Sequence, residues 1–211
     1  ITYILRNELN IHYKIRFLSI LCYNLYNMRL FTVIEPIYHS LKKNYLVVIP
    51  LVFIMIFSRF ITVIPNFTPL ISLILFIPLV LKDKRLAMTL IVIAQLLSDF
   101  FIGFYDTMIF VYGTYLLIAL LAFKYMIGIN FYKVLSSSVV ASIIFYITTN
   151  FGVWYAMDLY PATTSGLISC YIAGIPFLKS MTLSTVIFST TLFVLFKVVK
   201  KLRPDFILQN N

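Results

Sequence analysis

The sequence predicts an all-α membrane protein, with six transmembrane helices and an extra interfacial or re-entrant helix between spans five and six. Three observations predict it. The first is composition: 211 residues, 62% hydrophobic, 17% aromatic and only 11% charged, with a mean hydropathy of +0.99. A soluble domain is about 45–50% apolar and about 25% charged, because its surface must be solvated by water. The second is a succession of apolar runs from residue 46 onward, punctuated by short polar or breaker segments. The third is the placement of the basic residues, which gather in alternate connections. The same figures exclude disorder, which needs low hydrophobicity. They also recast the net charge of +10, from 17 Lys+Arg against 7 Asp+Glu, as a topology signal instead of a nucleic-acid footprint.

The elements follow in chain order. Residues 1–44 read as an N-terminal cytoplasmic segment. The chain begins at Ile1 and its first methionine is Met28; Arg6, Glu8, Lys14 and Arg16 surround an apolar run over 15–25. That run is about half the ~20 residues a span needs, and it lacks the small-residue cleavage site of a secretory signal. Two readings stand: translation starts at Met28 with 1–27 upstream of it, or an amphipathic segment continues along the cytoplasmic face through 28–43. The membrane domain then occupies 45–200 and a cytoplasmic tail 201–211. Its six spans fall at 46–64, 69–81, 86–102, 107–127, 133–150 and 180–199. The second is short and opens at Pro69, where a missing N–H costs nothing, after the breaker run Pro65-Asn66-Phe67-Thr68-Pro69. The longest connection, 151–179, holds the extra apolar helix at 163–177, too short to span.

Charge sets the orientation. Lys42, Lys43, Lys82, Lys84, Arg85, Lys124, Lys133, Lys197, Lys200, Lys201 and Arg203 all fall on one side, which the positive-inside rule makes cytoplasmic. Asp99, Asp106, Asp158 and a lone Lys179 fall on the other. Both termini are then cytoplasmic, in a bacterial inner membrane. The topology also separates Cys22 from Cys170, so both read as packing cysteines without a disulfide.

No catalytic or metal motif is present: there is no H-E-x-x-H, G-x-S-x-G, P-loop or G-x-G-x-x-G. His12 and His39 both precede the first span. The chain is therefore not read as an enzyme, and no cofactor is expected. The informative groups are polar residues within the spans. Arg59 and Asp99 each lie 13 residues into an outward-running span, hence about 20 Å deep at the same level. A lone charge there costs at least about 2.5–3.5 kcal/mol on insertion scales, so an Arg59–Asp99 ion pair or shared ligand site is expected, against snorkelling of each to the interface. Thr62 and Asn66 share a helical face with Arg59; Gln95 and Ser98 share one with Asp99. The stripes Ser138, Ser142, Thr149 and Thr182, Thr185, Ser189 read mainly as helix-packing hydroxyls. Asn150 ends the fifth span at the outer side, beside Phe151, Trp154, Tyr155, Tyr160, Tyr171 and Phe177. Those aromatics form either an interfacial belt or the cap of an outward cavity. The candidate substrate-binding set is Arg59, Asn66, Asp99, Asn150, Trp154 and Tyr160.

Several strings, among them Arg59-Phe60, Asn66-Phe67-Thr68-Pro69, Ser98-Asp99, Asn150-Phe151-Gly152-Val153-Trp154, Tyr160-Pro161, Cys170-Tyr171 and Ile175-Pro176-Phe177, resemble the signature of an uncharacterised bacterial integral-membrane family over about 46–195. More distantly, the layout resembles the substrate-binding S components of energy-coupling-factor transporters. That resemblance implies an outward pocket closed by loops, and import with a separate energising partner. The first span departs from it, since it lacks the small-x-x-x-small docking pattern. The expected partners are the lipid bilayer, an unidentified small molecule and an energising or scaffold membrane protein, with no nucleic acid. The expected role is transport or substrate binding for an importer; the alternative is a non-catalytic membrane scaffold in an envelope assembly.

Overall fold

The computed structural model describes residues 48–61 and 64–202, all within the compact unit Asn44–Asn211. The readings of the N-terminal segment, Met28, Cys22, both histidines, Thr62 and the tail from Arg203 lie outside the described residues. Six helices and no strand occur among the described residues: α1 (Val48–Phe57), α2 (Leu70–Val80), α3 (Lys84–Ile102), α4 (Met108–Tyr125), α5 (Phe131–Ala156) and α6 (Thr164–Leu202). The last four are long and apolar enough to cross a membrane. The described α1 and α2 have 10 and 11 residues, rising only about 15 and 17 Å.

Local chemistry sets the boundaries. Asp83 caps α3, its carboxylate accepting from the backbone N–H groups of Arg85 (2.9 Å) and Leu86 (3.3 Å). Asn130 caps α5 by accepting from Lys133 N at 2.8 Å. Thr163 caps α6 by accepting from Gly166 N at 3.2 Å. Pro69 stands at the N-cap position of α2, and its carbonyl takes the first helical bond, from Leu73 N at 2.9 Å. Asn66, in the breaker run before it, has φ 60°, a left-handed conformation that asparagine tolerates better than most residues. Ser180 Oγ donates to Pro65 O (2.9 Å) and Ser184 Oγ to Asn66 O (3.4 Å), so α6 holds that turn in place.

The short helix α2 is the centre of the bundle. Every residue from Leu70 to Ile77 is buried, and α2 packs against α3, α4, α5 and α6. A helix apolar all round belongs in such a position. The periphery is equally apolar: Phe100, Phe101, Ile109 and Ile172 are 62–76% exposed. Buried instead are hydroxyls, with Ser72, Ser138, Ser142, Ser184, Thr185 and Ser189 at 0% exposure. Where the surroundings are hydrocarbon, apolar burial no longer drives association, and close packing of small residues replaces it. The stripes on α5 and α6 follow that logic. Ser138 and Ser142 bond back to Val134 O (2.7 Å) and Ser138 O (2.9 Å), satisfying their hydroxyls inside the helix.

The region after the fifth span departs from the sequence expectation. In place of a 29-residue connection with a separate helix over 163–177, α5 runs on to Ala156 and α6 starts at Thr164. The expected extra helix is the first part of one 39-residue helix that continues through Pro176, about 58 Å long. Proline interrupts the hydrogen-bond ladder, but a neighbouring helix can support the chain across it. Here α5 is bonded to the turn of α6 that precedes the proline: Tyr146 Oη donates to Tyr171 O (2.5 Å), Tyr171 Oη to Ile147 O (2.9 Å) and Cys170 Sγ to Asn150 O (3.3 Å). At Gly174 a Cβ would collide with the Asn150 amide, so glycine is what lets the two helices approach there.

Candidate functional site

Arg59 lies in the turn that follows α1, where Phe60 N bonds to Phe57 O at 3.0 Å. Its guanidinium turns toward α3. Nη1 donates to Gln95 Oε1 (2.8 Å) and Ser98 Oγ (2.7 Å) and forms an ion pair with Asp99 Oδ1 (2.5 Å). Gln95, Ser98 and Asp99 fall on one face of α3 because they are three or four residues apart. The two charges differ in access: the Asp99 side chain is fully buried, whereas Arg59 retains 16% exposure. Oδ1 has no other hydrogen-bond partner among the described residues. Asp99 Oδ2 accepts from Tyr112 Oη at 2.6 Å, a charge-assisted bond across the α3–α4 hairpin.

Tyr112 was not singled out from the sequence, although a signal existed. Antiparallel helices joined by a short turn place residues equally far from that turn at similar depth. Asp99 lies a turn of helix before Gly103, and Tyr112 a little over one turn after Thr107.

The exposed side of Arg59 faces a cavity of about 590 Å³. Arg59, Asn66, Asn150 and Tyr160, four of the six expected site residues, line it, joined by Thr68, Tyr105, Tyr115 and Thr149. Leu70, Val111, Val153, Leu159 and Phe177 supply much of the apolar wall. This balance, largely apolar with a few fixed polar groups, is that of a small-molecule pocket. Tyr105 stands in the α3–α4 connection; burial, reinforced by the nearby Asp99 charge, raises its phenol above the ordinary value of 10.0, while the Arg59 cation opposes the shift.

The remaining two expected residues stand apart. Asp99 does not line the cavity and reaches it only through Arg59. Trp154 does not line it either: its indole Nε1 donates to Pro161 O at 3.0 Å and its ring stands 5.7 Å from that of Phe151. It ties the connection 157–163 to α5, and Thr163 N donates to the same carbonyl at 2.7 Å. A Cβ on Gly166 would strike that carbonyl, so the connection closes tightly on the first turn of α6. Asn150 is similarly committed on one side, since Nδ2 donates to Tyr146 O at 2.9 Å.

Among the described residues no group of three or more His, Cys, Asp or Glu is placed to hold a metal ion. Cys170 is a free, buried thiol. What the geometry offers is a cation held rigidly at a cavity wall, with amides and phenols around it.

Comparison with known proteins is restricted to family level. A search of curated proteins and a search of solved structures found no match. A family model does match, over residues 39–206, which is most of the chain. The chain therefore belongs to a family of unknown function, DUF6580.

Proposed function

We propose that this chain is a multi-pass integral membrane protein of the bacterial inner membrane that captures a small molecule from outside, as a transporter or as the substrate-binding subunit of an importer. The observation that carries the reading is the cavity of about 590 Å³ with Arg59 in its wall. It lies at the end of the bundle away from Lys82, Lys197 and Lys200, which surround a separate cavity at the other end. The positive-inside rule assigns the lysine end to the cytoplasm, so the Arg59 cavity faces outward. Arg59 orients an acceptor group of the ligand. Asn66, Asn150 and Tyr160 add hydrogen bonds and a ring face. Asp99 holds Arg59 in position and compensates its charge, and Trp154 fixes the loop beside the cavity.

Native mass spectrometry of the protein purified in mild detergent tests this. A small molecule should be released from the wild type, and its occupancy should fall at least tenfold in Arg59→Ala and Asn150→Ala, while Lys179→Ala, exposed and outside the cavity lining, retains it. Equal occupancy in all four proteins would remove the cavity from the reading. The second reading is a membrane scaffold. It is favoured by the full burial of Asp99 among Gln95, Ser98 and Tyr112, an arrangement that also serves as interhelical glue. A stable protein partner that co-purifies without any small molecule would support it.

A further inference from the structure

The opposite end of the bundle carries a second feature, independent of the Arg59 cavity. A cavity of about 550 Å³ is bounded by Lys82 from the α2–α3 connection, by Lys197 and Lys200 from the last turns of α6, and by the α4–α5 connection at Ile127, Gly128 and Ile129. The three lysines come from two segments more than a hundred residues apart in sequence, and the fold brings them to the wall of one cavity, with Lys197 Nζ 5.4 Å from the centre of the Phe193 ring on the preceding turn. Among the described residues no carboxylate lines the cavity. The nearest in sequence, Asp83, is engaged in capping α3 through Arg85 N and Leu86 N. A further cation stands close by, with Lys84 Nζ 5.8 Å from the centre of the Phe123 ring, and Phe123 is itself part of the wall.

The rest of the wall is apolar: Pro78, Leu79, Phe123 and Phe196 beside Ile127 and Ile129. A free inorganic anion gains nothing from such a surface. A molecule that joins a phosphate to hydrocarbon satisfies both halves, and a bilayer offers that molecule at the level where these helices end. The competing groove between α4 and α5, about 280 Å³, holds one basic group, Lys133, and its Nζ donates to Ile127 O at 2.9 Å. Charge convergence distinguishes the larger cavity.

We propose that this cavity binds the headgroup of an anionic phospholipid, with Lys82, Lys197 and Lys200 on its phosphate and the acyl chains descending along Leu79, Phe123 and Phe196. Basic pockets between transmembrane helices on the cytoplasmic side recognise lipid phosphates in this way. Each lysine near an anionic lipid surface contributes about a fivefold preference, so the three together should contribute roughly a hundredfold.

The test uses the full chain in nanodiscs of phosphatidylcholine containing one-tenth phosphatidylglycerol, followed by release and native mass spectrometry of retained lipid. The wild type should retain phosphatidylglycerol selectively. The triple variant Lys82→Gln/Lys197→Gln/Lys200→Gln should lose that preference by roughly a hundredfold, each single variant by about fivefold. The charge-preserving Lys82→Arg/Lys197→Arg/Lys200→Arg should keep it, as should Lys179→Gln. Helical circular dichroism of each variant separates lost binding from lost folding. Equal retention of both lipids by the wild type overturns the proposal. So does an undiminished preference in a folded glutamine variant, or loss in the arginine variant as well. Displacement of the lipid by millimolar inorganic phosphate assigns the site to a free anion and overturns it too, as does a protein partner seated there in place of lipid.

Discussion

Removing the Arg59 cation tests the central contact most directly, because the two members of the ion pair differ in access. Asp99 is fully buried and Arg59 is 16% exposed, with Nη1 2.5 Å from Oδ1. In Arg59→Met the carboxylate keeps only the Tyr112 hydroxyl, and an uncompensated buried charge costs about 3–5 kcal/mol. Asp99→Asn is expected to cost less, about 1–3 kcal/mol. The guanidinium keeps Gln95 and Ser98 and faces the cavity, where water can solvate it. The double variant Arg59→Met/Asp99→Asn buries no charge, and should cost about 2 kcal/mol, well below the sum of the two. The cycle therefore closes with a coupling of about 4 kcal/mol, above the roughly 0.5–3 kcal/mol usual for contacting neighbours. Equilibrium unfolding in mixed sodium dodecyl sulfate micelles measures it, read by the fluorescence of Trp154, the only tryptophan in the sequence. If the two single costs add to the double cost within about 0.5 kcal/mol, the contact contributes no net stabilisation and the argument from buried charge fails.

Three further outcomes are expected in the same unfolding assay. Tyr146→Phe should lose about 1 kcal/mol, because its hydroxyl donates to Tyr171 O and ties α6 to α5; an unchanged midpoint would show that this bond contributes nothing to the packing of the two helices. Gly174→Val should cost about 1–3 kcal/mol by pushing α6 off the Asn150 amide, and a neutral result would contradict the close approach of α5 and α6. Tyr105 has its phenol raised above 10.0 by burial first and the Asp99 charge second. In the window above pH 10 the folded state then holds a proton that the unfolded state has released, so stability falls as pH rises through that window. The wild type should lose more stability between pH 9 and pH 11 than Tyr105→Phe, and equal losses would refute the shift.

Much of the architecture is legible in the residues because lipid imposes strict rules. Helix existence follows from apolar runs, and the α3 and α4 limits lie within two residues of the expected 86–102 and 107–127. The Arg59–Asp99 pairing was legible from depth alone, since equal distances along two spans leave two costly charges at one level. The short second helix was readable from Pro69 and its breaker run, but its position at the bundle centre was not. Nothing in an 11-residue apolar string distinguishes a helix surrounded by protein from one surrounded by lipid.

The misreading after span five has a physical cause. Pro176 falls at the end of the expected 163–177 helix and interrupts the hydrogen-bond ladder of an isolated helix, so local propensity favours a separate short helix before span six. What overrides it is tertiary: Gly174 permits close contact with Asn150, and the Tyr146, Tyr171 and Cys170 bonds to backbone carbonyls bind α6 to α5 just before the proline. Composition and apolar runs, which are properties of the chain read locally, determined the all-α class, the existence of most helices and which residues were too polar to be incidental. Only the packed structure decided which of them share a cavity. It put Asp99 behind Arg59, turned Trp154 to the Pro161 carbonyl, and drew Lys82 together with Lys197 and Lys200. Such convergence depends on which helices become neighbours, and neighbours are chosen by the fit of whole surfaces, which no single stretch of sequence contains.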